Sequence, residues 1–91
     1  DECYDVIEDG QWRSDTPYAV LHRVASDGTV HGIAAAMFAF AKERADHLRI
    51  DTHRDNLPMQ GASIKAGFER AGVVYVSDGT ARVAFDWLRE T

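Results

Sequence analysis

The stretch at positions 52–76, THRDNLPMQGASIKAGFERAGVVYV, constrains the fold more than any other part of the sequence. Asp55 or Asn56 can cap a helix, because either side chain can accept a hydrogen bond from an N–H of the first turn. Pro58 suits that first turn, where its missing N–H costs nothing, and Gly67 can take the left-handed conformation that ends a helix. The order therefore predicts a helix of about three turns, followed directly by the apolar strand AGVVYV.

Patterned segments lie on both sides of this unit. GIAAAMFAFAKERA is rich in helix-favouring Ala and becomes basic toward its end, so it predicts a core helix. HLRIDTH alternates, with Leu48, Ile50 and Thr52 on one face and polar residues on the other, as in a strand. Asp78-Gly79 is a favoured turn pair between AGVVYV and RVAFDWL, which predicts an antiparallel hairpin.

The N-terminal part of the chain has two further strand patterns. CYDVIEDGQW carries β-type residues around the turn pair Asp9-Gly10, which predicts a hairpin at the edge of a sheet. TPYAVLHRVAS alternates with apolar residues on both faces, since Val20 and Leu21 point to opposite sides. A strand with so little polar surface is expected in the centre of the sheet.

The order of elements defines the fold class. Two strands, a loop, a helix, a strand, a helix and a final hairpin predict an α/β domain. The strand–helix–strand step favours parallel pairing, whereas the hairpins require antiparallel pairing, so the sheet is expected to be mixed, with helices packed on it. The chain has 91 residues, of which 45% are hydrophobic and 27% charged. It can bury one core but not two, so positions 1–91 form a single domain or part of one.

Charge and cysteine content exclude several classes of protein. A net charge of -5 disfavours nucleic acid as the main ligand, because nucleic-acid binders usually carry a clustered basic surface. Cys3 is the single cysteine, so no intrachain disulfide can form, and a cytoplasmic location is expected. The apolar run at positions 33–41 is far shorter than the about 20 residues that span a membrane, and no membrane partner is expected.

Two groups of residues do not indicate a metal site or a dedicated aromatic cofactor site. The four histidines show no compact ligand spacing, so no metal site is predicted; they are His22, His31, His47 and His53. Four large apolar residues have the spacing of core residues rather than of a cofactor site; they are Met37, Phe38, Phe40 and Phe68.

Two long segments resemble the GNAT superfamily of acyl-CoA-dependent N-acetyltransferases. YAVLHRVASDGTVHGIAAAMFAFAKERA looks like that family's central strand, pyrophosphate loop and helix, and LRIDTHRDNLPMQ with KAGFERAGVVYV looks like its next strand, helix and closing strands. The superfamily's loop pattern, Gln/Arg-x-x-Gly-x-Gly/Ala, falls here on positions 29–34. It matches at Gly32 and Ala34 and departs at Thr29, where the long polar side chain is absent.

The resemblance implies a function and a co-substrate. It implies that an acetyl group passes from acetyl-CoA to an amine of a small molecule or peptide by direct attack. A pyrophosphate requires several converging N–H donors, which a glycine-containing loop and the start of a helix can supply. The backbone at the end of the central strand would hold the pantetheine arm. The residues implied in coenzyme binding are Arg23, Val24, Ala25, Thr29, Val30, His31, Gly32, Ile33, Ala34, Ala35 and Asn56. The structural alternative is a glycine-containing connection between strand and helix.

The acceptor chemistry requires a proton acceptor. An amine with a pKa of about 10.4 is mostly protonated at neutral pH, so a proton must leave before it attacks the thioester. His22 and Asp51 are the candidates, although a packed histidine and a hydrogen-bonded carboxylate are the simpler interpretations. Many family members have a tyrosine that can protonate the leaving thiolate where this chain has Ser63; Tyr75 could replace it only if it points inward. Thr29 and Ser63 favour the alternative function, a non-catalytic CoA-binding or protein-interaction module.

The resemblance also implies that something is missing. A complete GNAT domain has further N-terminal elements that line the acceptor pocket and cover one face of the sheet. We therefore expect the cofactor-binding part of a longer acetyltransferase, a truncation, or one half of an assembly. An uncovered apolar face of the sheet would favour a homo-oligomer.

Overall fold

The computed structural model describes residues 4–21 and 31–89, and the backbone alone at 31–34. The helices and strands along the chain are β1 (Ala19–Val20), α1 (His31–Lys42), β2 (His47–His53), α2 (Leu57–Lys65), β3 (Glu69–Tyr75) and β4 (Ala81–Leu88). Both helices and the closing hairpin lie where the sequence predicts them.

The described strands form one mixed sheet in the order β1-β2-β4-β3. β1 pairs with β2 in parallel, and β4 pairs with both β2 and β3 in antiparallel fashion. The expected central strand is wrong for the described residues, because β1 lies at the edge of this sheet. Val20 and the following residue, Leu21, are half-buried and pack against the clusters on opposite faces, which requires no second neighbouring strand. The remainder of that predicted strand, from His22 onward, lies outside the described residues.

The helices cover one face of the sheet and form the larger core. Phe38 of α1 packs against Phe68 with ring centroids 5.0 Å apart, and both are buried with Leu48 and Ile50 of β2. The alternation predicted for β2 is therefore confirmed. Phe40 is a correction: it is 58% exposed. Two positions along a helix turn a side chain to a different face, so Phe38 and Phe40 cannot both point at the sheet.

The N-terminal segment, residues 4–18, covers the opposite face. The predicted edge hairpin is wrong, because this segment makes its bridge with β3: Glu8 and Val73 exchange two backbone hydrogen bonds of 2.8 Å. The chain buries Tyr4 against Val74 and Ala84 and then turns at Asp9 and Gly10, which both have positive φ. This route stabilises the fold because it buries large aromatic side chains, which a short isolated hairpin cannot do.

This cover corrects a second expectation. An exposed apolar face was expected on the sheet, yet Val74 and Ala84 are fully buried beside Tyr4. The segment then passes Trp12 over the sheet and leads into β1. Both faces of the described sheet thus have side chains packed on them.

The local signals around α2 behave as the sequence predicts. The Asn56 side chain accepts a 3.2 Å hydrogen bond from the backbone N–H of Met59, and Pro58 lies in the first turn. The helix has nine residues, and Gly67 beyond its end has a φ of 95°. Gly79 in the closing hairpin has a φ of 84°, which explains why a glycine follows Asp78.

Candidate coenzyme site

Both helices begin at the same end of the sheet. We call this end the carboxyl edge, because the parallel strands β1 and β2 finish there. β1 and β2 are parallel, so their carboxyl ends lie at the same edge, and α1 and α2 follow those ends in the chain. α1 begins at His31, which places the predicted Gly32, Ile33 and Ala34 in its first turn. The first four N–H groups of a helix have no intrahelical acceptor and carry a positive partial charge. This edge therefore has the backbone chemistry that binds an anion.

Only some of the predicted coenzyme residues fall within the described part of the chain. Those that fall outside the described residues are Arg23, Val24, Ala25, Thr29 and Val30, together with the candidate base His22. Of the others, Gly32, Ile33, Ala34 and Ala35 lie at the start of α1 and Asn56 caps α2; Ala35 lines a groove together with Pro58 of α2.

A groove of about 640 Å³ runs between α1 and α2. Its lining residues are Ala35, Phe38, Ala39, Lys42, Pro58, Gly61, Ala62, Lys65 and Ala66. The lining is mostly apolar and small, and two lysines lie toward the carboxyl ends of the helices. Volumes of this order are typical of sites that take a small molecule or cofactor. The sequence reasoning missed this groove; its signal was the i, i+4 spacing of Ala35 and Ala39, which leaves a shallow path along one helix.

Asn56 has a structural role at this edge. Its Oδ1 accepts the hydrogen bond that caps α2, so the side chain is held beside the first turn of that helix. The sequence analysis gave this residue two roles, as a helix cap and as a coenzyme contact. The structure shows the cap.

Asp51 lies on the opposite face of the sheet from the helices. Its Oδ2 accepts a 2.6 Å hydrogen bond from the Tyr4 hydroxyl, and its Oδ1 is 3.3 Å from Nε of Arg82. The side chain is 16% exposed. Asp51 comes two residues after Arg49, where the described pairing of β2 with β1 ends. A carboxylate fixed from two sides can accept a proton or hold a cation, because each oxygen has a further lone pair.

His47 is fully buried on the same face. Its Nδ1 lies 3.3 Å from the carbonyl oxygen of Thr16, and its Nε2 lies 3.9 Å from Oδ2 of Asp86. Burial lowers the pKa of His47 below its ordinary value of about 6.5, and the positive charges of Arg49 and Arg13 act in the same direction. The Thr16 contact and the negative charge of Asp86 oppose this shift without cancelling it. The neutral imidazole is therefore the form that the fold favours.

Arg49 is buried between aromatic rings. Its guanidinium carbon lies 4.1 Å from the ring centroid of Trp12 and 3.9 Å from that of Tyr18. Nη2 donates a 2.8 Å hydrogen bond to the carbonyl oxygen of Ser14. The sequence pattern indicated the polar face of β2 but not its burial, because the covering residues come from a distant part of the chain.

Ser63 and Tyr75 are the two residues considered as proton donors to the leaving thiolate. Ser63 is fully buried, and its hydroxyl donates a 2.8 Å hydrogen bond to the carbonyl oxygen of Met59 in its own helix. Tyr75, at the end of β3, is 45% exposed.

Residues 4–21 and 31–89 contain no group of three or more His, Cys, Asp or Glu side chains able to hold a metal ion. No helix in that part of the chain is both long and apolar enough to cross a membrane.

These features define an α/β domain with a mixed sheet, in which two helices start at the edge where the parallel strands end. It is the fold of the GNAT acetyltransferases. A solved structure of a GNAT-family acetyltransferase from Streptococcus agalactiae is similar to the whole chain, with a TM-score of 0.85 and 29% sequence identity. The chain spans 54% of that protein. No protein-family model matches the chain, and no curated protein does.

Proposed function

We propose that this chain is the acetyl-CoA-binding part of an N-acetyltransferase, which transfers the acetyl group to an amine of a small molecule or peptide. The observation that carries the proposal is the similarity of the whole chain to a GNAT-family acetyltransferase at a TM-score of 0.85. The start of α1 and the groove beside it support the proposal, because they combine anion-binding amides with an apolar path.

Each part of the coenzyme would contact a different segment of the chain. Its pyrophosphate would meet the amides at positions 29–35, its pantetheine arm would follow the backbone of 23–25, and Asn56 would lie beside it. A helix dipole contributes about 0.3–2 kcal/mol, whereas micromolar affinity requires roughly 8 kcal/mol. Amide hydrogen bonds and apolar contacts in the groove must therefore supply most of the binding free energy.

The transfer itself requires deprotonation of the amine. Asp51 and His22 are the proposed proton acceptors. Asp51 is partly exposed and lies just beyond the described β1–β2 pairing, on the face away from the coenzyme groove. An amine that approaches from that face would meet a thioester that reaches through the sheet between these strands.

Calorimetry with acetyl-CoA tests the coenzyme site. The native chain should bind with micromolar affinity, and Ala39→Glu should weaken binding at least about tenfold, because a carboxylate in the groove repels the coenzyme phosphates. Ala39→Gln is the matched control: it has the same shape, no charge and a similar helix propensity. Absence of heat with the folded native chain at millimolar coenzyme contradicts the proposal.

A second function is a non-catalytic CoA-binding or protein-interaction module. Ser63 favours it, because the residue that replaces the family's frequent tyrosine is buried and bonded within its helix. Release of free thiol from acetyl-CoA in the presence of amines separates the two functions. Binding without amine-dependent release supports the module.

Self-association is a further part of the proposal. Leu57 and Ile64 lie one heptad apart on α2 and are 69% and 61% exposed. Residues seven apart on a helix share a face, so these two form one apolar strip. Sedimentation analysis of the native chain and of a Leu57→Lys, Ile64→Lys variant tests it; a monomer at all concentrations contradicts it.

A further inference from the structure

The hydrogen bond between Tyr4 and Asp51 joins two residues that are 47 positions apart in the chain. Tyr4 is 2% exposed, and its hydroxyl donates to Oδ2 at 2.6 Å. Such a short distance is typical of a hydrogen bond to a charged carboxylate. The bond fixes the orientation of a carboxylate that still has part of its surface in solvent.

The phenol of Tyr4 is itself held in place. The Trp12 indole N–H donates a 2.9 Å hydrogen bond to the carbonyl oxygen of Tyr4, and the two rings lie 5.1 Å apart. Tyr18 stacks on Tyr4 with centroids 6.1 Å apart. Trp12 and Tyr18 thus pack against Tyr4 and restrict the position of the side chain that donates to Asp51.

On the other side of Asp51, Arg82 completes the arrangement. Its Nε is 3.3 Å from Oδ1 without the geometry of a hydrogen bond, so the contact is electrostatic. Tyr4 therefore supplies the directional contact and Arg82 the charge. Together they leave further lone pairs on the carboxylate for an incoming group.

From this geometry we infer that Tyr4 is a positioning residue for acetyl transfer and that Asp51 is the proton acceptor. The inference rests on the proposed function. An ammonium group of the acceptor loses a proton to the Asp51 carboxylate, so an N–H bond breaks and an O–H bond forms. The neutral amine then attacks the thioester carbonyl; a C–N bond forms and the C–S bond breaks. The leaving thiolate takes the proton held by Asp51, which restores the carboxylate, and the second N–H proton goes to solvent, which gives the amide and free CoA.

The inference assigns a role to the N-terminal segment. Position and orientation of a catalytic group are worth large factors in rate, and Tyr4 controls both for Asp51. Residues 4–18 are then part of the acceptor side of the site and not only a cover for the sheet.

Three variants test this assignment: Tyr4→Phe, Asp51→Asn and, as matched control, Tyr75→Phe. The control removes the same hydroxyl from an exposed position. Acetyl transfer to a panel of small primary amines and a lysine-containing peptide is measured between pH 5 and 9, with acetyl-CoA binding measured by calorimetry. Asp51→Asn should lower kcat/KM for the amine at least about a hundredfold, the usual scale of general-base catalysis.

Tyr4→Phe has a distinct expected signature. It should lower kcat/KM for the amine about tenfold, the scale of one hydrogen bond to a charged group. The loss should fall on kcat and leave KM for the amine unchanged, because the buried Tyr4 orients Asp51 and cannot itself contact the amine. Tyr75→Phe should match the native chain, and all three variants should keep the native affinity for acetyl-CoA.

The outcomes distinguish failure of the Tyr4–Asp51 inference from failure of the proposed function. An unchanged kcat in Tyr4→Phe, or full activity in Asp51→Asn, overturns the inference while acetyl-CoA binding and transfer leave the proposed function standing. Coenzyme binding without transfer to any amine also overturns it, because no proton then has to be accepted. Absence of coenzyme binding by the native chain overturns the proposed function first.

Discussion

Arg49 is buried although it lies on the polar side of β2. Burial of a charge costs several kcal/mol unless other groups replace the lost water. Here the rings of Trp12 and Tyr18 lie 4.1 and 3.9 Å from the guanidinium carbon, and the Ser14 carbonyl accepts a hydrogen bond from Nη2. Each contact comes from the N-terminal segment, so the stability of this residue depends on a part of the chain far away in sequence.

His47 predicts how stability depends on pH. Its folded-state pKa lies below 6.5, so the unfolded chain binds a proton more readily than the folded chain. The contribution of His47 to stability is complete above about pH 6.5 and is lost as the pH falls below that value. One group changes the free energy of unfolding by at most about 1.4 kcal/mol per pH unit. Urea unfolding at several values between pH 5 and 8 measures this slope.

The variant His47→Gln isolates this group from other titrating residues. It should flatten the fall in the free energy of unfolding below pH 6.5, whatever its effect at neutral pH. Arg13, Arg49 and Asp86 also face His47, and all three are present in both the native chain and the variant, so the difference between the two slopes reports on His47. Equal slopes in the native chain and the variant would show that His47 has the same pKa folded and unfolded.

Among the helices and strands, α2 contains a glycine whose conformational freedom the fold does not require. Gly61 lies inside the helix, its backbone is not in the left-handed region, and an added Cβ would meet nothing within 4 Å. Gly61→Ala should therefore raise the free energy of unfolding by about 0.5–1 kcal/mol, because alanine loses less backbone entropy in a helix. Thermal and urea unfolding without coenzyme measure the change; a loss of stability would contradict the packing around this helix.

The contact of the N-terminal segment with β3 predicts the opposite result for another glycine. A Cβ at Gly72 would lie 2.5 Å from the carbonyl oxygen of Glu8 and 2.8 Å from Cγ1 of Ile7. Gly72→Ala should therefore lower the free energy of unfolding by about 1–3 kcal/mol, since either the segment or the strand must move. Gly61→Ala is its control, because it is the same chemical change without a close neighbour. A neutral Gly72→Ala would mean that residues 7–10 do not lie against β3 in solution.

The elements also show which parts of the fold can be predicted from sequence. The signals of α2 are an Asn cap, a Pro in the first turn and a Gly after the end, and each acts within a few residues. The start of α1, and with it part of the candidate site, follows from similarly local signals. The route of the N-terminal segment depends on contacts such as Tyr4 with Asp51, 47 positions away, which no local pattern encodes. Asp9-Gly10 indicated a turn, but not which strand the turned chain would meet.

At the scale of the molecule, the domain has one sheet with a cluster of buried residues on each face. Helices α1 and α2 cover the face with Leu48 and Ile50, and residues 4–18 cover the face with Val74 and Ala84. The coenzyme groove belongs to the first face and Asp51 to the second. The proposed reaction therefore requires that the thioester pass from one face to the other, at the edge where both helices begin.

This arrangement predicts that acetyl-CoA stabilises the whole domain. A ligand that binds only the folded chain raises the free energy of unfolding by about 2.7 kcal/mol at a concentration one hundred times its Kd. For a domain of this size, each kcal/mol raises Tm by about 4–8 °C, so the expected increase is about 10–20 °C. Calorimetric melting curves of the native chain with and without acetyl-CoA measure it. Ala39→Glu should show a much smaller increase than Ala39→Gln at the same coenzyme concentration, because its carboxylate in the groove repels the coenzyme phosphates at the start of α1. Equal increases in the two variants would place the coenzyme away from the α1–α2 groove, even if the native chain binds it.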